Sequence, residues 1–180
     1  CGDVRFGKAE VSLRAAFKVA QAGLQVAVLV PTTVLAQQHT LEFRQRMQDW
    51  DLEVGTLFAD QEEPDTLERL ADGSLKIVVG THRLLAKDVR FDQLGLLIID
   101  EEQQFGLAHK EKLRKLARGV HTLSMSATPI PRTLQLALSG VRDISLLDAP
   151  PERKRPIRTY LCEEEPKLVQ AALIRELERE

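Results

Sequence analysis

Cysteine, aromatic rings and surplus charge are all scarce in this chain. Two cysteines, one tryptophan and one tyrosine stand among 180 residues. With one of the cysteines at Cys1 and the other at Cys162, a disulfide framework is not expected, and a reducing, cytoplasmic setting suits the composition. The four histidines, His39, His82, His109 and His121, lack the spacing of a metal site. A formal net charge of -2 excludes wholesale basic character, although a local basic strip is enough for nucleic acid. No apolar run approaches the roughly 20 residues of a membrane span, and no charged-then-apolar targeting segment opens the chain. Trp50 and Tyr160 are too isolated to form a base-stacking platform.

What is present is an ordinary core-forming mixture, 43% apolar and 29% charged, in a chain long enough for one domain. Apolar runs alternate with helical patterns, which predicts an α/β domain built on a mostly parallel sheet with helices on both faces. Strands are expected at Gln25–Val30, Glu53–Phe58, Lys76–Gly80, Leu94–Asp100, His121–Ala127 and Asp143–Leu147. Several are nearly uniform in Val, Ile and Leu, as strands covered on both faces are. Helices are expected at Lys8–Ala22, Val34–Gln48, Pro64–Ala71, Ala108–Ala117 and Pro131–Ser139. Residues 1–149 read as the domain. The run Pro150-Pro151-Glu152-Arg153-Lys154-Arg155-Pro156 cannot continue a helix or central strand and reads as a linker at 150–156. A short strand at Ile157–Leu161 and a helix at Pro166–Arg179 then begin a second unit over 157–180. The basic residues Arg153, Lys154, Arg155 and Arg158 read as a solvated hinge rather than a DNA contact.

The first chemical signal is Cys1-Gly2-Asp3-Val4-Arg5-Phe6-Gly7-Lys8-Ala9. Gly2, four residues, then Gly7-Lys8 is the spacing of G-x-x-x-x-G-K-S/T, the phosphate-binding loop. Such a loop turns backbone N–H groups onto phosphate oxygens, its lysine reaches the β/γ-phosphates, and the final hydroxyl ligates Mg²⁺. Ala9 supplies no hydroxyl. A phosphate loop joins a strand to a helix, and no strand stands ahead of Cys1, so the chain is expected to be a cropped piece of a longer protein.

The second signal is Leu96-Leu97-Ile98-Ile99-Asp100-Glu101-Glu102-Gln103, a buried strand that releases acids at its C-terminal end. Open α/β sheets bind ligands along that edge. An Asp there can hold Mg²⁺ through water, and the next Glu can orient and deprotonate an attacking water. Val30-Pro31-Thr32-Thr33, with Gln37-Gln38-His39 a turn later, also follows an apolar strand, as do Gly80-Thr81-His82 and Ser126-Ala127-Thr128. Hydroxyls and amides at strand ends suit phosphate contact, and they suit plain helix capping equally well.

Taken in order, these five stretches resemble motifs I, Ia, Ib, II and III of the superfamily 2 helicases. Within that group the chain looks like the transcription-repair coupling factor (Mfd) family, which is related to RecG. Thr128-Pro129-Ile130-Pro131-Arg132-Thr133 is shared with RecG, and Asp100-Glu101-Glu102 together with His109-Lys110-Glu111 favours the coupling factors. The resemblance implies a RecA-like P-loop domain, the first motor domain of a two-domain motor that uses ATP and Mg²⁺ to track double-stranded DNA. It implies displacement of stalled RNA polymerase and promotion of excision repair, with RNA polymerase and UvrA bound by regions outside this chain. Gly2, Asp3, Val4, Arg5, Phe6, Gly7, Lys8 and Ala9 would form the nucleotide loop, with Lys8, Asp100 and Glu101 catalytic and Asp100 on the metal. Pro31, Thr32, Thr33, Gly80, Thr81, His82, Arg83 and Gln103 would lie on the DNA or coupling side, with Ser126, Ala127 and Thr128 coupling nucleotide state to DNA grip.

Three positions depart from the family pattern. Ala9 stands in place of Thr or Ser, Arg5 in place of a loop glycine, and Gln104 where an arginine usually follows the acids. Two readings stay open. One is an ATP-driven DNA translocase module that needs the second RecA-like domain to complete its site, so that the 180 residues alone turn over little ATP. The other is a degenerate, hydrolysis-deficient domain that keeps the fold as a DNA- or protein-binding module.

Overall fold

The computed structural model describes residues 1–2, 6–58, 61–62, 65–126, 143, 145–149, 161, 163 and 165–178. Its centre is a sheet of six strands in the order β3-β2-β4-β1-β5-β6. These are β1 (Gln25–Leu29), β2 (Val54–Phe58), β3 (Gln61–Glu62), β4 (Ile77–Gly80), β5 (Leu94–Asp100) and β6 (His121–Met125). All pairings are parallel except β2 with the two-residue β3 at the edge. The helices are α1 (Lys8–Gln21), α2 (Thr33–Met47), α3 (Thr66–Ala71), α4 (Leu107–Leu116) and α5 (Pro166–Leu177).

The sequence dictates this layering. β1, β2 and β4 are buried at every position, so their side chains face an apolar layer on each side of the sheet. One layer gathers Val26, Val28, Ile77, Val79, Leu96 and Ile98 beneath Leu13 and Ala16 of α1 and Ala36, Phe43 and Met47 of α2. The other gathers Ala27, Leu29, Val78, Leu97 and Ile99 beneath Leu70 of α3 and Leu113 of α4. Alternate residues of each strand thus feed opposite cores. Each buried Val, Leu or Ile contributes about 1.5–3 kcal/mol relative to exposure.

Buried polar groups are mostly satisfied locally. The Ser12 and Thr40 hydroxyls donate to the Ala9 and Ala36 carbonyls at 2.7 and 2.8 Å. Gln25, 1% exposed, donates to the Leu70 and Leu75 carbonyls and accepts from the Gln93 N–H. That one side chain ties β1 to the end of α3 and to the approach to β5.

The expected strands and helices recur within a residue or two where they are described. β3 is an addition: its two polar residues carry no periodicity to read. Among its described residues, Asp143–Leu147 shows no strand. Instead, Cys1 donates to the Ser145 carbonyl and Leu147 donates to the Cys1 carbonyl, both at 2.7 Å, and Gly2 and Leu147 form a parallel bridge. On its other side, Gly2 N–H donates to the Ser126 carbonyl at 3.3 Å. The first two residues therefore sit between the end of β6 and the segment at Leu147. The expected helix Pro131–Ser139, the linker 150–156 and all but Leu161 of the expected strand Ile157–Leu161 lie outside the described residues.

Candidate nucleotide site

Because β1, β4, β5 and β6 run parallel, their C-terminal ends share one edge. Gly2 is docked against Ser126, one residue past β6, and Asp100 is in register with Met125 of β6. The start of the loop, the acids and the third strand-end motif are therefore neighbours. The loop ends at Gly7, whose φ of 83° is left-handed and whose missing Cβ faces open space. A glycine takes this conformation freely, and here it turns the chain into α1. Lys8 opens the helix, and its Nζ donates to the Gly2 carbonyl at 2.6 Å. Ala9 lies in the first turn of α1. Asp3, Val4 and Arg5 lie outside the described residues.

Asp100 ends β5 and is about one-eighth exposed, its side chain at 13%. Its Oδ2 lies 3.1 Å from Nε2 of His39, whose side chain is 10% exposed on α2. Its Oδ1 has no hydrogen-bond partner among the described residues. Glu101 leaves the strand at φ 50°, ψ 50°, a left-handed conformation rare for a residue with a side chain. Hydrogen bonds hold it there, among them one from the Gln104 N–H to its carbonyl at 2.8 Å. Its N–H donates to the Met125 carbonyl at 3.0 Å, and its carboxylate accepts from the Gln103 amide. Gln103 thus acts on Glu101 from the short turn Glu102–Gln104.

The remaining strand ends are arranged differently from one another. Thr32 caps α2, its Oγ1 accepting from the Leu35 N–H at 3.3 Å, so part of its role is structural. Pro31 and Thr33 flank it, half-buried. Gly80 is required by close approach, since a Cβ there would meet the Leu57 carbonyl and the Leu84 side chain. Thr81 is buried, while the His82 ring is exposed and lies 5.5 Å from that of His109 on α4. Arg83 forms a two-pronged pair with Asp88 at 2.8 and 2.7 Å. That guanidinium holds the Asp88 carboxyl below its ordinary pKa. Ser126 is half-buried, and Ala127 and Thr128 lie outside the described residues.

Sequence reasoning missed His39 as a site residue. The signal was its position: Ala36, His39, Thr40, Phe43 and Met47 make the buried stripe of α2. An imidazole on a buried stripe needs a polar partner.

The donor set suits a nucleotide-bound ion better than a protein cage. Among the described residues, no three His, Cys, Asp or Glu side chains are arranged to hold a metal. Asp100 offers one uncommitted oxygen at the sheet edge where Gly2 is docked. A hard ion completing its shell with phosphate and water, as Mg²⁺ does, fits that arrangement. Ala9 offers that ion nothing.

The DEAD/DEAH box helicase description matches residues 1–137. The chain belongs to the DEAD/DEAH box helicase family. Among curated relatives of this helicase domain, the transcription-repair-coupling factor of Bacillus subtilis (strain 168) is 51% identical over 182 residues, covering 99% of the chain. That of Staphylococcus aureus (strain NCTC 8325 / PS 47) is 49% identical over 183 residues. The chain spans 16% of the length of each of these relatives. Among solved structures, the helicase MrfA bound to DNA superposes with a TM-score of 0.65 at 21% identity, over 82% of this chain and 24% of that one. Dbp5 L327V of S. cerevisiae, bound to RNA and ADP BeF3, gives 0.62 at 16% identity, over 82% of this chain and 41% of that one. These two likenesses show the fold, which is RecA-like. No helix among the described residues is long and apolar enough to cross a membrane.

Proposed function

We propose that this helicase domain is the first, ATP-binding motor domain of a cytoplasmic transcription-repair coupling factor, one half of an ATP-driven translocase on double-stranded DNA. The observation that carries the proposal is the meeting of Gly2, Asp100-Glu101 and Ser126 at one sheet edge, with Lys8 bonded to Gly2. The 51% identity to a coupling factor over 99% of the chain supports the family role. Bound ATP would supply the phosphoanhydride bond whose hydrolysis drives movement. Lys8 would leave the Gly2 carbonyl for the β/γ-phosphates, and Asp100 would hold Mg²⁺ through water. Glu101, oriented by Gln103, would take a proton from the attacking water. Thr32, Thr33, Thr81, His82 and Arg83 would follow the DNA backbone, Arg83 exchanging Asp88 for phosphate. The second RecA-like domain would complete the site, and displacement of RNA polymerase and recruitment of UvrA would rest on regions outside this chain.

Ala9 favours a second reading, a domain that binds without turnover. Phosphoryl transfer depends on positioning and charge neutralisation, and a missing hydroxyl on the metal weakens both. DNA-stimulated ATP hydrolysis by a protein carrying both motor domains decides the matter. Mg²⁺-dependent, DNA-stimulated turnover supports the translocase. No turnover, restored by Ala9→Thr with Arg5→Gly, supports the binding module.

A further inference from the structure

We propose that His39 is a positioning residue that fixes the carboxylate plane of Asp100 and thereby its hold on a nucleotide-bound Mg²⁺; this rests on the Mg²⁺ role given to Asp100 above. The two residues are 61 positions apart, on α2 and β5, and their side chains meet at 3.1 Å with only 10% and 13% exposure. An ionised carboxylate only accepts, so the imidazole must donate from Nε2. Nδ1 is buried with no hydrogen-bond partner among the described residues. The donor role places a proton on Nε2.

The hydrogen bond has a specific consequence. The terminal torsion of an aspartate is broad and nearly two-fold, so a carboxylate at a strand end has no preferred plane of its own. His39 commits Oδ2 and leaves Oδ1 for a ligand. The ring cannot swing away easily. It lies 6.4 Å from the ring of Phe43, a fully buried residue one turn along α2. Partners of this kind orient ligating carboxylates, and their loss typically costs about 10–100-fold in metal affinity. His39 also stands on the helix that begins at Thr32 and Thr33. One bond therefore ties the helix that starts at the candidate DNA-side threonines to the acid at the nucleotide.

The test is a Mg²⁺ titration of the full chain bound to a fluorescent ADP, with thermal denaturation as the check of folding. His39→Leu is expected to weaken the Mg²⁺-dependent part of binding by roughly tenfold or more, leaving Mg²⁺-free ADP binding unchanged. His39→Gln, whose amide can donate from nearly the same point, is expected to keep most of the affinity. Asp100→Asn separates the two readings. If it abolishes the Mg²⁺ effect while His39→Leu does not, the positioning role is overturned and the role of Asp100 stands. If Asp100→Asn changes nothing, the Mg²⁺ reading fails and this inference falls with it. Nitrogen-15 NMR of the unmodified chain gives a readout independent of any variant's folding. A proton on Nε2 of His39 supports the donor role, and a bare Nε2 overturns it.

Discussion

The ammonium of Lys8 lies 2.6 Å from the Gly2 carbonyl oxygen, six residues back along the loop. The loop thus bonds internally through the group that is expected to meet phosphate. A hydrogen bond from a charged donor is worth about 1.5–3 kcal/mol, and phosphate offers a charged acceptor where the carbonyl offers a neutral one. Lys8→Ala is expected to weaken binding of a fluorescent ADP by about tenfold to a hundredfold. Equal affinities in the two proteins would remove Lys8 from the site.

Much of this arrangement was legible beforehand, for physical reasons. β5 is a run of apolar residues ended by acids, and a run buried on both faces has few other places in a fold. The loop glycines and Lys8 carry their own spacing. Tertiary contacts between distant residues were not legible. Gln25 reads as a polar residue opening a strand, and nothing local says that it clamps the Leu70 and Leu75 carbonyls. His39 reads as one of four scattered histidines until α2 is laid against β5. The placement of Cys1–Gly2 beside Ser126 depends on a pairing across more than a hundred residues, which no period in the sequence encodes.

Glu101 holds a left-handed backbone at φ 50°, which costs a residue with a Cβ about 1–2 kcal/mol. Glycine pays no such penalty but gives up about 0.5–1 kcal/mol in chain entropy. Glu101→Gly is therefore expected to leave stability unchanged or raise it by up to about 1.5 kcal/mol, while removing the group proposed as base. Chemical denaturation measures the first effect and single-turnover hydrolysis in a two-domain protein the second. A loss of stability beyond about 1 kcal/mol would contradict a strained Glu101.

Gly80 opens a motif assigned to the DNA side, yet packing alone requires it. A Cβ would press on the Leu57 carbonyl of β2, a backbone group held in the sheet, and on Leu84 Cγ at 2.8 Å. Gly80→Ala is expected to cost about 1–3 kcal/mol, as overpacking does. Adding Leu84→Ala should not rescue it, because the carbonyl remains. Rescue by that second change, measured by denaturation, would show that Leu84 rather than the backbone sets the limit.

Glu10 joins α1 to α2 by accepting from Arg46 at 3.0 Å, and it also accepts from Arg14 of its own helix at 2.8 Å. The bond from Arg46 first, and that from Arg14 second, hold its carboxyl below the ordinary glutamate range. A depressed folded pKa contributes stability that is complete above the unfolded value of about 4.3 and is lost as pH falls through the folded value. All three side chains are substantially exposed, at 34% for Glu10, 79% for Arg14 and 52% for Arg46, so solvent screens the contribution to about 1 kcal/mol or less. Glu10→Gln is expected to lower the melting temperature slightly near neutral pH. The gap should narrow in high salt and close in acid, once the native carboxyl is protonated. A gap of constant size from neutral to acid pH would mean that the charge of Glu10 does not carry the effect.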